Sequence, residues 1–128
     1  MTIIETTEQH LDQIWAIEQQ AHSHPWTEGS IRNLKTRCAS NRVMLEGDQV
    51  VAYYYAQDVV GEMTLMNIAV KPSAQGRGLG KQLMNYFLAL CEKNRNESAW
   101  LEVRESNHNA IHLYQSVGFN EVDRRTHF

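Results

Sequence analysis

Cysteine is scarce in this chain, long apolar runs are absent, and basic residues do not outnumber acidic ones. Each shortage removes a class of protein. Cys38 and Cys91 are the two cysteines in 128 residues. They are too few for a disulfide framework and form no C-x-x-C pair, so reduced thiols and a cytoplasmic location are expected. No apolar run approaches the roughly 20 residues that span a bilayer, so no membrane partner is expected. The opening Met1-Thr2-Ile3-Ile4-Glu5-Thr6-Thr7 lacks the basic start and apolar stretch of a signal peptide. Twelve Lys and Arg stand against fifteen Asp and Glu, a net charge of −3. That balance gives no electrostatic footprint for nucleic acid and is compatible with a basic peptide. The six histidines include two close pairs, His22 with His24 and His108 with His112. The second pair has i, i+4 spacing, but no third ligand accompanies it, so solvent-facing histidines and no metal are expected.

What is present is the composition of one soluble domain, 42% apolar and 21% charged, long enough to bury a core. Repeats, low-complexity tracts and linkers are missing, so residues 1–128 read as a single domain. Hydrophobic period and turn residues divide the chain. Thr2 to Glu5 reads as a strand. Thr7 is placed to cap a helix bearing Leu11, Ile14, Trp15 and Ile17, which ends at His22-Ser23-His24-Pro25-Trp26. Thr27 is placed to cap a second helix from Glu28 to Lys35. Arg42 to Glu46 and Gln49 to Gln57 form a hairpin about Glu46-Gly47-Asp48. Glu62 to Val70 is a further strand. Leu79 to Lys93 is a helix with Leu83, Met84, Phe87, Leu88 and Cys91 on one face. Ala99 to Arg104 is a strand, Asn107 to Val117 a helix followed by Gly118, and Phe119 to Arg124 the start of a final strand. The order βααβββαβαβ predicts an α/β sandwich with a mixed sheet.

The most specific segment is Gln75-Gly76-Arg77-Gly78-Leu79-Gly80-Lys81, between the strand ending at Val70 and the helix opening at Leu79. Bare backbone N–H groups and the positive end of the helix dipole converge in such a loop, which suits a phosphate or pyrophosphate. A Cβ at these glycines would keep the ligand from close approach. The loop is not a P-loop, because Gln75 and Gln82 occupy the places of its first glycine and its Ser or Thr. Nor is it the dinucleotide fingerprint, because Lys81 or Leu83 stands where the third glycine belongs. Gln-x-x-Gly-x-Gly remains, at Gln75, Gly78 and Gly80. A plain glycine-rich turn ahead of a helix shares part of this pattern.

The pattern resembles the acetyl-CoA loop of the GNAT superfamily of N-acetyltransferases, and the element order is that of the GNAT fold. Several segments look like its bacterial RimI type, which acetylates the N-terminal alanine of a small-subunit ribosomal protein. They are Pro25-Trp26-Thr27, Asn67-Ile68-Ala69-Val70, Trp100-Leu101-Glu102-Val103-Arg104, Ser106-Asn107 and Leu113-Tyr114-Gln115-Ser116-Val117-Gly118-Phe119. The resemblance implies acetyl-CoA as cosubstrate and a protein N-terminus, that of a ribosomal protein, as acceptor. It implies that Ile68, Ala69 and Val70 present the central strand to the pantetheine arm and acetyl carbonyl. It implies loop contacts from Gly76, Arg77, Gly78, Leu79, Gly80 and Lys81, and a side-chain contact from Asn107. A lysine, polyamine or other small amine is an alternative acceptor. A module that binds acyl-CoA without turnover is an alternative of another class.

Two residues carry the expected chemistry. Glu102 shares a strand face with Trp100 and Arg104, opposite the apolar Leu101 and Val103. It is either the general base for the acceptor amine, directly or through a water, or a surface glutamate paired with a cation. Tyr114 shares a helical stripe with Ala110, Ile111 and Val117. Its ring packs in the core, and its hydroxyl is the candidate acid for the departing thiolate. The sequence stops at Arg124-Arg125-Thr126-His127-Phe128, where the RimI type continues through a tyrosine-bearing loop into a last strand. The resemblance therefore predicts an open sheet edge prone to self-association.

Overall fold

The computed structural model of the chain describes residues 1–104 and 124–125. Strand β1 is Thr2–Glu5, helix α1 is Leu11–Ala21 and helix α2 is Glu28–Arg32. Strands β2, Arg42–Glu46, β3, Gln49–Val59, and β4, Glu62–Val70, follow. Helix α3 is Leu79–Lys93 and β5 is Ser98–Leu101. Two short strands, β6 at Val103–Arg104 and β7 at Arg124–Arg125, pair with each other in parallel.

The main sheet has five strands in the order β1-β2-β3-β4-β5. The first three pairings are antiparallel and β4 with β5 is parallel, so the sheet is mixed as the sequence predicts. Hairpins suffice for the antiparallel steps. The parallel step needs a crossover, which α3 provides. One sheet face packs Met44, Ala52, Tyr54, Ala56, Met63, Leu65, Ile68 and Leu101 against Leu79, Leu83, Met84, Phe87 and Cys91 of α3. The other packs Val43, Tyr53, Tyr55 and Ala69 against Leu11, Ile14 and Ile17 of α1 and Ile31 of α2. The alternation of β3 decides this division: Tyr53 and Tyr55 face α1, and Tyr54 faces α3, where its ring meets Phe87 edge-on at 5.5 Å.

Local chemistry explains where the elements differ from their expected bounds. Helix α2 ends at Arg32 instead of Lys35, because Asn33 leaves the helical region and its side-chain oxygen accepts from the N–H of Lys35 at 3.1 Å. Its start is as expected, with Thr27 Oγ1 accepting from the N–H of Ser30 at 3.2 Å. Thr7 heads a 3-10 turn at Glu8–His10 that leads into α1, and its own N–H donates to His10 Nδ1. The hairpin strand β3 runs on to Val59. The strand expected over 99–104 is interrupted at Glu102, between β5 and β6. The expected helix from Asn107 to Val117, Gly118 and the expected strand up to Asp123 lie outside the described residues.

Candidate active site

The site is built around a defect in β4. Tyr55 pairs with Asn67 and Ala56 with Leu65, so Met66 is an extra residue in β4, a β-bulge. On the other side, β5 pairs with β4 only from Glu62–Ser98 to Leu65–Leu101. The N–H of Glu102 then donates to the carbonyl of Leu65 at 2.9 Å, at the limit of that pairing. Beyond the bulge β4 continues alone on that side among the described residues, and the sheet divides there.

The bulge resets which backbone groups face the division. Lys71 donates to the carbonyl of Val51 at 2.8 Å, which fixes the phase of the ladder between β3 and β4. By the antiparallel alternation Asn67 and Ala69 then bond toward β3, while Ile68 and Val70 turn their peptide groups to the open side. The carbonyl of Val70 is taken by the side-chain amide of Gln75 at 3.1 Å, tying the end of β4 to the loop.

The loop opens α3 as expected. Gly76 and Gly78 hold φ of 82° and 75°, the left-handed region that side chains avoid. Gly78 is the residue ahead of the helix, and its carbonyl accepts from the N–H of Gln82 at 3.1 Å. A Cβ at Gly76 or Gly78 would meet no protein atom within 4 Å. Backbone conformation, with open space left for a ligand, is therefore what requires glycine here. Gly80 and Lys81 lie in the first turn of α3. Arg77 reaches sideways to Glu46 at 2.6 Å. This exposed pair holds the Glu46 carboxyl below its usual range, chiefly through that hydrogen bond.

Glu102 is half-buried. Leu101 belongs to the α3 face, so alternation sends Glu102 toward the α1 side of the sheet, at the mouth of the division. Trp100 shares that face and is exposed. Asn107 and Tyr114 lie outside the described residues, as do His108 and His112. Among the described residues no group of three or more His, Cys, Asp and Glu is arranged to hold a metal.

A polar cluster on the same face escapes reading from sequence alone. Glu18 of α1 is 1% exposed. Its Oε1 accepts from the Tyr53 hydroxyl at 2.5 Å and from Asn67 Nδ2 at 2.9 Å. Its Oε2 accepts from the N–H of Trp26 at 2.9 Å. Burial, and then the Glu18 charge, push the Tyr53 phenol above its ordinary value, so it remains a donor. His22 Nε2 lies 3.0 Å from Asn67 Oδ1. One signal was available: Leu11, Ile14 and Glu18 share a helical stripe, and a carboxylate on an apolar stripe is buried only if partnered.

A glycine nest at the start of a long helix, beside a strand that turns its peptide groups into a gap in a mixed sheet, suits an extended ligand with a pyrophosphate at one end. The chain belongs to the acetyltransferase (GNAT) family, whose model matches residues 11–119. It is an N-acetyltransferase that uses acetyl-CoA. It is 39% identical over 117 residues to the [ribosomal protein bS18]-alanine N-acetyltransferase of Haemophilus influenzae, covering 91% of this chain and 80% of that one. The Salmonella typhimurium protein of the same name is 39% identical over 128 residues, covering 100% of this chain and 85% of the relative. The fold superposes on the crystal structure of the ribosomal-protein-S18-alanine N-acetyltransferase from Escherichia coli with a TM-score of 0.88 at 38% identity, covering 99% of this chain and 83% of that one. The expectation of a GNAT fold of the RimI type is thus met. Among the described residues no helix is long and apolar enough to cross a membrane.

Proposed function

We propose that the chain acetylates the α-amine of an alanine-terminated protein, a ribosomal protein of the small subunit, with Glu102 as base and Tyr114 as acid. The observation that carries this reading is the position of Glu102. It stands where β5 parts from β4, on the sheet face that α1 and the loop before α2 border. The names of the relatives supply the acceptor class.

The donor supplies the acetyl group as a thioester. The amides of Gly76, Arg77, Gly78, Leu79, Gly80 and Lys81 at the α3 N-terminus suit its pyrophosphate. The peptide groups of Ile68 and Val70 suit the pantetheine arm, and the N–H of Ile68 is the donor for the acetyl carbonyl. Ala69, whose peptide group bonds toward β3, lines the strand between them. Asn107 contributes a side-chain contact.

Proton handling follows from the acceptor. An α-amine has a pKa of about 7.7–8.0, so roughly a tenth is neutral at pH 7, whereas a lysine amine near 10.4 is almost wholly charged. A carboxylate is a sufficient base for the first and a poor one for the second. Tyr114, with an ordinary phenol pKa of about 10, stays protonated and donates to the departing thiolate.

Intact-mass analysis of a peptide panel after incubation with acetyl-CoA tests this. Addition of one acetyl group to alanine-terminated peptides, with internal lysines and free polyamines unmodified, is the expected result. Modification of lysines or polyamines would assign a different acceptor, and binding of acetyl-CoA without turnover would reduce the chain to a binding module.

A further inference from the structure

The Glu18 cluster does more than satisfy a buried charge, because of where it grips. Met66 is the extra residue of the bulge, and Asn67 follows it. Leu65 and Ile68 both belong to the α3 face, so the two residues between them fall on the α1 side together. There the Asn67 amide is held at both ends. A carboxylate only accepts, so the group facing Glu18 Oε1 at 2.9 Å must be the Asn67 NH2. Asn67 Oδ1 then faces His22, and an amide oxygen only accepts, so His22 Nε2 must carry hydrogen. Both assignments follow from the chemistry of the partners. Asn67 is 7% exposed and the His22 side chain 18%.

We infer that Glu18, Asn67 and His22 form a clamp that fixes the β4 bulge and so aims the N–H of Ile68 at the acetyl carbonyl. This rests on the proposed role of β4. Asn67 and His22 are positioning residues in it, acting through the peptide group next to Asn67. The clamp reaches further, since Glu18 also accepts from the N–H of Trp26 in the loop between α1 and α2. One carboxylate therefore ties the strand facing the donor to the loop bordering the face of Glu102. Among the described residues Glu18 is the single buried acidic side chain. Desolvating a carboxylate is costly, and apolar packing would serve stability as well. Its retention beside the bulge fits a demand for direction, which hydrogen bonds supply and apolar contacts do not.

The test reads the carbonyl itself. Infrared difference spectra of bound acetyl-CoA, labelled with carbon-13 at the carbonyl, are compared with the free thioester for wild type, Asn67→Ala, His22→Leu and His22→Gln. Calorimetric affinity and turnover are measured alongside. Wild type should lower the carbonyl stretch. Asn67→Ala and His22→Leu should lose much of that lowering and about tenfold in kcat, with acetyl-CoA affinity nearly unchanged. His22→Gln, which keeps an N–H donor on a side chain of similar reach, should retain both. His22 lies near the surface, so its variants test the idea even if Asn67→Ala fails to fold. A wild-type carbonyl shift and kcat in folded His22→Leu would overturn the clamp. So would a kcat loss matched by lost acetyl-CoA affinity. No lowering in wild type would instead overturn the role of β4, and the clamp with it.

Discussion

The N–H of Glu102 donates to the carbonyl of Leu65 at 2.9 Å, at the point where β5 stops pairing with β4. One hydrogen bond thus sets the candidate base at the vertex of the division in the sheet. The opposite edge of that vertex is the bulge at Met66, next in sequence to Leu65. Base and bulge keep one spacing because they share this bond.

Glu102→Gln should slow turnover of an alanine-terminated peptide about 10- to 100-fold at pH 7. The deficit should narrow to a few-fold above pH 9, where solvent has already deprotonated the amine. The sign follows from the acceptor, whose neutral fraction rises with pH through about 8. A pH–rate profile of both proteins checks it, and a loss that is uniform across pH would assign Glu102 a positioning role.

Gly78→Glu should abolish acetyl-CoA binding with the fold retained, because no protein atom crowds the position and the carboxylate would face the pyrophosphate. Gly78→Ala should be milder. Its cost is that of a left-handed φ, about 1–2 kcal/mol, with no new charge. Calorimetric titration of both variants distinguishes the two effects, and unchanged affinity in Gly78→Glu would remove the loop from the site.

Tyr114→Phe should lower kcat more than acetyl-CoA affinity, because the hydroxyl is needed only as charge develops on the leaving sulfur. Single-turnover rates and equilibrium titration on the same preparation check it. A loss confined to affinity would dismiss Tyr114 as the acid.

Tyr53→Phe removes one donor from the buried Glu18 carboxylate while leaving the ring in place. A hydrogen bond to a charged group is worth about 1.5–3 kcal/mol, so thermal unfolding should fall by roughly 5–10 °C. A melting temperature within a degree of wild type would show that the carboxylate finds another donor.

The two thiols should differ sharply in reactivity. Cys91 is buried, and burial pushes its pKa up to about 11, so little thiolate exists near neutrality. Cys38 is exposed. Alkylation at pH 8 followed by peptide mass mapping should label Cys38 in the folded protein and Cys91 only after denaturation.

Much of the fold was legible because its signals are local. The stripe Leu83, Met84, Phe87 and Cys91 marks α3, and Glu46-Gly47-Asp48 marks a hairpin whose Gly47 indeed takes φ of 62°. Thr27 caps α2 through the N–H of Ser30, three residues on. The glycine loop belongs to the same class, since left-handed backbone at Gly76 and Gly78 is a property of a few consecutive residues. The exact end of α2 was not legible, because the competing Asn33 turn differs from a helix by one side-chain hydrogen bond.

The amino-acid sequence by itself determined the order of the elements, the loop at the head of α3 and the residue types a transferase of this family needs. Only the tertiary structure decided how the site is held open. The bulge at Met66 is invisible in Leu65-Met66-Asn67-Ile68, because an extra residue is defined by the strand opposite it. Glu18 looks like a surface glutamate until Tyr53, Asn67 and the N–H of Trp26 arrive, and two of those partners are 35 and 49 residues away. A buried charge is stable only where several donors converge on it. Such convergence belongs to the packed sheet and helix, since no short segment of the chain could bring those donors together.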